Sequence, residues 1–130
     1  MSIVVPHEGK DLLLEYMLNK TEPTEVQLKI FKNDITPDND TVIGDFTETD
    51  VAGYAAKELA GASWTATDGV ASFAEQIFTY TADETHYGYY VTNAGGTAVL
   101  WCELFDSAHV FPSGGGSEKI TPTITLTTAV

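Results

Sequence analysis

The spacing of apolar positions changes from a helical to a strand period near residue 24. After Pro6, the run Glu8 to Asn19 carries Leu12, Leu13, Leu14, Tyr16, Met17 and Leu18. Leucine and methionine favour helix, and positions 13, 14, 17 and 18 fall on one face at helical spacing. The pattern predicts a short amphipathic helix with an apolar lead-in at Ile3-Val4-Val5, punctuated by Thr21-Glu22-Pro23-Thr24. From Glu25 the period is two: Val26, Leu28 and Ile30 alternate with Gln27 and Lys29, the signature of a half-buried strand. Asn33 to Asp50 reads as a long loop dense in Asp, Thr and Asn, interrupted by Val42-Ile43 and Phe46. Tyr54 to Leu59 is a further strand candidate. Ser63 to Ala66 and Ala71 to Thr81 flank Thr67-Asp68-Gly69, and Asp-Gly between such runs signals a hairpin. His86 to Thr92 and Thr97 to Phe105 flank Asn93-Ala94-Gly95-Gly96 as a second hairpin, with Tyr87 and Tyr89 on one face and Tyr90 on the other. Phe111 to Ser117 reads as a flexible glycine-rich loop, and Ile120 to Thr127 as a closing strand.

Seven or eight short strands joined by turns predict a mainly β protein, an antiparallel β-sandwich (jelly-roll-like) or barrel with one short N-terminal helix. The expected division is an N-terminal helical arm over residues 1–23 and a β-sandwich domain over residues 24–130. No repeat of fixed period supports a solenoid or propeller.

Charge narrows the function classes. The chain of 130 residues carries six Lys+Arg against nineteen Asp+Glu, a net charge of −13 at pH 7. Such a surface repels phosphate backbones and anionic lipid, so neither a nucleic acid nor a membrane is expected as partner. It favours solubility and discourages promiscuous self-association. A hydrophobic content of 43% suffices for a core in a single domain. The one cysteine, Cys102, rules out an internal disulfide framework, and no apolar run reaches the length of a membrane span. Met1 to Val5 is too short for a signal peptide and lacks a charged n-region, so folding in a cytoplasm is expected.

Candidate chemistry is thin. Asp34, Asp38, Asp40, Asp45, Glu48 and Asp50 crowd one loop, and hard cations want clustered oxygens. Asp38-x-Asp40 opens like an EF-hand, but glycine falls at the seventh position, Val42 at the fifth and Thr49 at the twelfth, where a bidentate Glu is needed. The motif fails, and a solvated acidic loop is the default. His7, His86 and His109 show no metal-ligand spacing. His86 stands near Asp83 and Glu84, but nothing resembles a nucleophile elbow. Cys102, inside Leu100-Trp101-Cys102-Glu103-Leu104, reads as a small buried apolar residue. Gly114-Gly115-Gly116 lacks the Lys-Ser/Thr and helix of a phosphate loop. The aromatic group Tyr87, Tyr89, Tyr90, Trp101 and Phe105 has no basic residues between its members, which argues against base stacking and leaves a carbohydrate platform open. No catalytic residue, metal site or cofactor is expected.

Six segments occur in an order that resembles a family of small structural proteins of tailed bacteriophages. They are Val5-Pro6-His7-Glu8-Gly9; Leu28-Lys29-Ile30-Phe31-Lys32-Asn33 with Thr36-Pro37; Gly44-Asp45-Phe46-Thr47-Glu48 with Gly53-Tyr54; Tyr87-Gly88-Tyr89-Tyr90-Val91; Leu100-Trp101-x-Glu103-x-Phe105; and Thr121-Pro122-x-x-Thr125-Leu126. The resemblance covers nearly the whole chain. It implies a non-enzymatic virion protein of the capsid decoration (cement) or head-fibre type, seated on the outer surface of the shell and bound to the major capsid protein. It also implies a homo-oligomer, with a trimer favoured. Leu13, Tyr16 and Met17 of the helix and Phe46 and Tyr54 of the loop are the expected partner contacts. Two other classes stand beside it: a tail or fibre module binding a host glycan, which needs Tyr90 and Trp101 exposed, and a small hydrolase or metal-dependent enzyme, which needs His86 grouped with acids in a concave site.

Overall fold

The structure is a computed structural model and describes residues 3–126. Helix α1 (His7–Met17) starts directly after Pro6, whose φ of −64° suits a helix entry. It ends in a Schellman closure: Asn19 takes a φ of 57°, its N–H reaches the Tyr16 carbonyl at 3.2 Å, and Lys20 N–H reaches the Glu15 carbonyl at 2.9 Å. Leu18 and Asn19, expected within the helix, are its cap.

Among the described residues nine strands follow: β1 (Val26–Phe31), β2 (Lys57–Leu59), β3 (Thr65–Thr67), β4 (Val70–Ser72), β5 (Gln76–Tyr80), β6 (Glu84–Thr92), β7 (Val99–Phe111), β8 (Gly116–Ile120) and β9 (Thr123–Thr125). They form a four-stranded sheet in the order β2-β1-β6-β7, a three-stranded sheet β3-β4-β9 and a pair β5-β8, every pairing antiparallel. The molecule is thus mainly β, with one short N-terminal helix, and the described strands close no barrel.

The alternation of β1 shows how the layers are made. Leu28 and Ile30 face a core shared with Phe78 and Tyr80 of β5, Tyr89 and Val91 of β6, Leu100 and Trp101 of β7 and Ile120 of β8. Phe31 faces the other way, into a second cluster with Phe46, Tyr90, Val99 and Cys102. The central sheet is therefore covered on both faces. The long acidic segment between β1 and β2 closes the second face, with Phe46 as its plug. Gly88 is required there, because the Phe31 ring and the Glu103 carbonyl occupy the space a Cβ would take.

Two irregularities correct the expected alternation. Val91 pairs with Trp101 but Thr92 with Val99, so Leu100 is an extra residue in β7. Between His86–His109 and Gly88–Leu104, a single residue of β6 lies opposite four of β7. Tyr87 consequently packs with Phe31 and Tyr90, while Tyr89 joins the opposite core. The Ala71 to Thr81 run is two strands, and the closing strand is likewise two, β8 and β9, parted by Thr121-Pro122. Part of the expected glycine-rich loop belongs to β8; a tight turn precedes it, with Gly115 N–H on the Pro112 carbonyl at 2.7 Å. Thr127, the expected end of the last strand, lies outside the described residues.

The N-terminal segment seals the outer edge of β7. Val4 exchanges backbone hydrogen bonds of 2.8 and 2.9 Å with Cys102, and Glu8 Oε2 accepts from Val99 N–H at 2.8 Å and Ile43 N–H at 3.1 Å. Helix and strand touch backbone to backbone, since a Cβ on Gly9 would overlap the Leu100 carbonyl. The inward face of α1 is Gly9, Leu12, Leu13 and Tyr16, whereas Leu14, Met17 and Leu18 are 50%, 71% and 71% exposed. Positions 13, 14, 17 and 18 do not share a face: Leu13 points in and the other three point out.

Candidate functional site

The densest group of titratable side chains is built where β5, β6, β7 and β8 meet. Glu118, at the centre of β8, pairs with Phe78, and its carboxylate is nearly sealed from solvent. Three donors converge on it. His86 Nδ1 lies 2.9 Å from Oε1, Tyr80 Oη donates to the same oxygen, and His109 Nδ1 lies 2.7 Å from Oε2. Burial pushes the Glu118 carboxyl up, but the hydrogen bonds from His86, Tyr80 and His109 outweigh it and hold the group below the usual carboxylate range. Burial and the Glu118 carboxylate both raise the Tyr80 phenol, which stays neutral as a donor.

His86 is fully buried. Its Nε2 lies 3.2 Å from Thr49 Oγ1 and 3.1 Å from Glu84 Oε1, and the Thr49 hydroxyl donates to Glu84. Lys32 completes the group at the surface, 3.9 Å from Glu84 Oε2 and 2.6 Å from Asp50 Oδ1. The rings of Tyr80 and Phe111 wall His86 at 4.8 and 5.3 Å between centroids. His109 is the half-exposed member, stacked on Phe105 at 3.9 Å.

Thr49–His86–Glu118 has the connectivity of a hydroxyl–imidazole–carboxylate triad. Its accessibility is wrong for one. Thr49 and Glu118 are 3% and 5% exposed, and the Thr49 hydroxyl is already engaged by Glu84. A nucleophile needs a reacting carbon within about 3–3.5 Å, and these atoms meet only protein. The grouping of His86 with acids does occur, but inside the core. The arrangement ties four strands together with satisfied polar bonds, which is what a buried network must do to be stable.

Beside His109 lies an open cleft of about 360 Å³, lined by Phe105, Asp106, Ser107, His109, Lys119 and Thr121 among others. In the acidic loop, Asp38 Oδ1 accepts from Asp40 N–H at 2.9 Å and Asp45 Oδ2 from Val42 N–H at 2.9 Å, so two carboxylates brace their own backbone. Among the described residues, no group of His, Cys, Asp and Glu is arranged to hold a metal ion.

The expected contact residues separate. Phe46 is 9% exposed, stacked on Tyr90 at 4.4 Å and edge-on to Phe31 at 5.1 Å. It is a core residue and not a surface contact, because the loop that carries it folds back over the central sheet. Tyr54 is half-buried: its hydroxyl donates to Glu48 Oε2 at 2.7 Å and its ring stacks on Phe78. Leu13 and Tyr16 pack on the protein's own core, and Met17 is the one of the five that is exposed. Tyr90 and Trp101, 3% and 4% exposed, offer no sugar platform. Cys102 is wholly buried and its thiol is pushed up to about 12, which makes it an inert apolar filler.

Sequence reasoning missed Glu118, which falls between the expected glycine-rich loop and the expected closing strand, and His109, dismissed for lack of spacing. The one signal was Glu118's alternation with Ile120 in Gly-Ser-Glu-Lys-Ile, which marks a strand with an inward carboxylate. No protein-family model matches the chain, and no curated protein matches it significantly.

Proposed function

We propose that the protein is a non-enzymatic structural component of a tailed-bacteriophage virion, a capsid decoration (cement) protein that binds and stabilises the shell of the major capsid protein. The observation that carries this reading is the collinear order of the six segments that resemble that family, from Val5 to Leu126. Three of them lie on β1, β6 and β7. The resemblance therefore includes three of the four strands of the central sheet. The enclosure of the Glu118 group also supports it, since the titratable residues most suited to chemistry are consumed in holding strands together.

The action is mechanical. A rigid β domain, folded in the host cytoplasm, seats on the outer surface of the assembled shell and bridges its subunits. Binding to the assembled lattice and not to free subunits stabilises the lattice by mass action. The outward row Leu14, Met17 and Leu18 supplies apolar anchoring area, and the charge of −13 orients the domain toward a basic patch.

Quantitative mass spectrometry of purified virions tests this. A copy number comparable with that of the major capsid protein is expected. A few copies per particle would move the chain to a tail or vertex fibre, and absence from the particle would sink the reading.

A further inference from the structure

The molecule protects its strand edges unevenly. The outer edge of β7 is sealed at Cys102 by Val4 and at Val99 by Glu8. The outer edge of β2 carries Lys57 and Glu58. Strand β9 bonds β4 through residues 122, 124 and 126, which leaves Thr123 and Thr125 facing outward, and the chain beyond Leu126 lies outside the described residues. Strand β3 has none of these guards. It is the end strand of its sheet, pairs among the described strands only with β4, and consists of Thr65, Ala66 and Thr67, all exposed. Folded proteins normally blunt such an edge with charge, proline, a bulge or a cover.

The hydrogen-bond phase shows which groups are open. Asp68 and Gly69, with φ of 53° and 80°, form a two-residue type I′ turn whose closing pair is Thr67–Val70. On the far side, β4 and its flanks bond the β9 segment at alternate residues, with Leu126 N–H on Gly69 O at 2.9 Å and Phe73 N–H on Pro122 O at 3.0 Å. Residues 69, 71 and 73 thus serve β9, and 70 and 72 serve β3 at Thr67 and Thr65. Ala66, opposite Ala71, turns its N–H and C=O outward.

Charge points to the occupant. Between Glu58 and Glu75 the only charged residue is Asp68, and none follows Lys119. Two copies of a chain at −13 repel each other least where charge is lowest.

We infer that β3 is a self-association edge, on which a second copy of this chain docks its own β3 antiparallel about a two-fold axis at Ala66. Ala66 then exchanges both hydrogen bonds with its equivalent, and each Thr65 lies opposite a Thr67, a favourable cross-strand pair. Asp68 falls opposite Trp64. The two Asp68 residues stand about 13 Å apart along the strands, beyond the ~8 Å screening length at physiological salt. The result is a continuous six-stranded sheet. This contact stands independently of the virion reading and differs from the trimer the resemblance implies.

Sedimentation velocity on the full chain, with concentration-dependent hydrogen exchange, tests it. The edge is short, so a reversible dimer with a dissociation constant on the order of 0.1 mM is expected. The dimer tightens as salt screens the net charge, and exchange at the Ala66 amide slows as concentration rises. Ala66→Pro removes the outward donor without touching a bond to β4, and should weaken the dimer at least about tenfold. The double change Thr65→Asp with Thr67→Asp faces carboxylate to carboxylate across the axis and should do the same, on exposed positions that leave the monomer folded. A chain monomeric at about 1 mM overturns the inference. So does an oligomer that the double variant leaves unchanged, or one that protects the Leu14, Met17 and Leu18 row with Ala66 still exchanging freely.

Discussion

The two faces of the central sheet are held by opposite chemistries. On one, Phe46 is dropped from a loop between Phe31 and Tyr90, and burial of aromatic surface holds it. On the other, Glu118 is clasped by His86, Tyr80 and His109. Each contact brings together segments far apart in sequence. They differ in what they demand. The plug needs volume in the right place and tolerates approximate shape. The clasp needs donors aimed at two particular oxygens, and each partner left behind is a buried polar group without a bond. An apolar contact thus sets stability, while a polar one also sets register and responds to pH.

That contrast can be broken or sharpened by experiment. Glu118→Ala strands His86 and the Tyr80 hydroxyl in the core, and should cost on the order of 3–5 kcal/mol in urea unfolding. Glu118→Gln keeps the shape and one acceptor and should cost visibly less; equal losses would mean that packing and not bonding holds β8. Phe46→Ala should cost about 3–4 kcal/mol, and Phe46→Leu under about 1.5. If leucine were as damaging as alanine, the stacked geometry on Tyr90 would matter more than volume.

Smaller effects come next. Gly9→Ala drives a methyl into the Leu100 carbonyl and should cost about 1–3 kcal/mol by prising α1 from β7. The acid limb separates the two faces most cleanly. The Glu118 carboxyl sits below its unfolded value, so its contribution is complete above about pH 4.3 and is lost as pH falls through the lower folded value. The stability gap between the native chain and Glu118→Gln should therefore narrow in that window, while the gap to Phe46→Leu stays level. A Glu118→Gln gap that persists undiminished down to about pH 2 would refute the clasp as the acid-sensitive element. Met17→Ser, on the exposed row, should change stability by less than about 0.5 kcal/mol.

Much of this was legible along the chain wherever the cause is local. Asp68-Gly69 turns because Asp and Gly tolerate the positive φ that a type I′ turn requires at both positions, and the alternation from Val26 to Ile30 marks a strand whatever its neighbours. Glu118 left only the short alternation with Ile120 as a signal, because Gly-Ser-Glu-Lys-Ile is polar and lies beside a glycine run; the segment becomes a strand when β5 pairs with it. Phe46 looked like a surface contact because nothing in its loop shows that Tyr90, 44 positions on, will stack on it. The faces of Tyr87 and of the α1 leucines were misread for related reasons: the β7 irregularity resets the alternation, and contact with β7 decides which helical stripe turns inward.

The chain by itself determined an acidic, mainly β fold with an N-terminal helix, a buried cysteine and an Asp-Gly hairpin. These follow from backbone preference, periodicity and net charge, which act over a few residues or over the whole composition. Only the tertiary structure decided that one carboxylate would gather two histidines and a tyrosine, that an acidic loop would supply a core residue, and that the uncharged β3 would end its sheet. Each depends on which segments lie opposite one another, and that is settled by joint burial and register of strands distant in sequence.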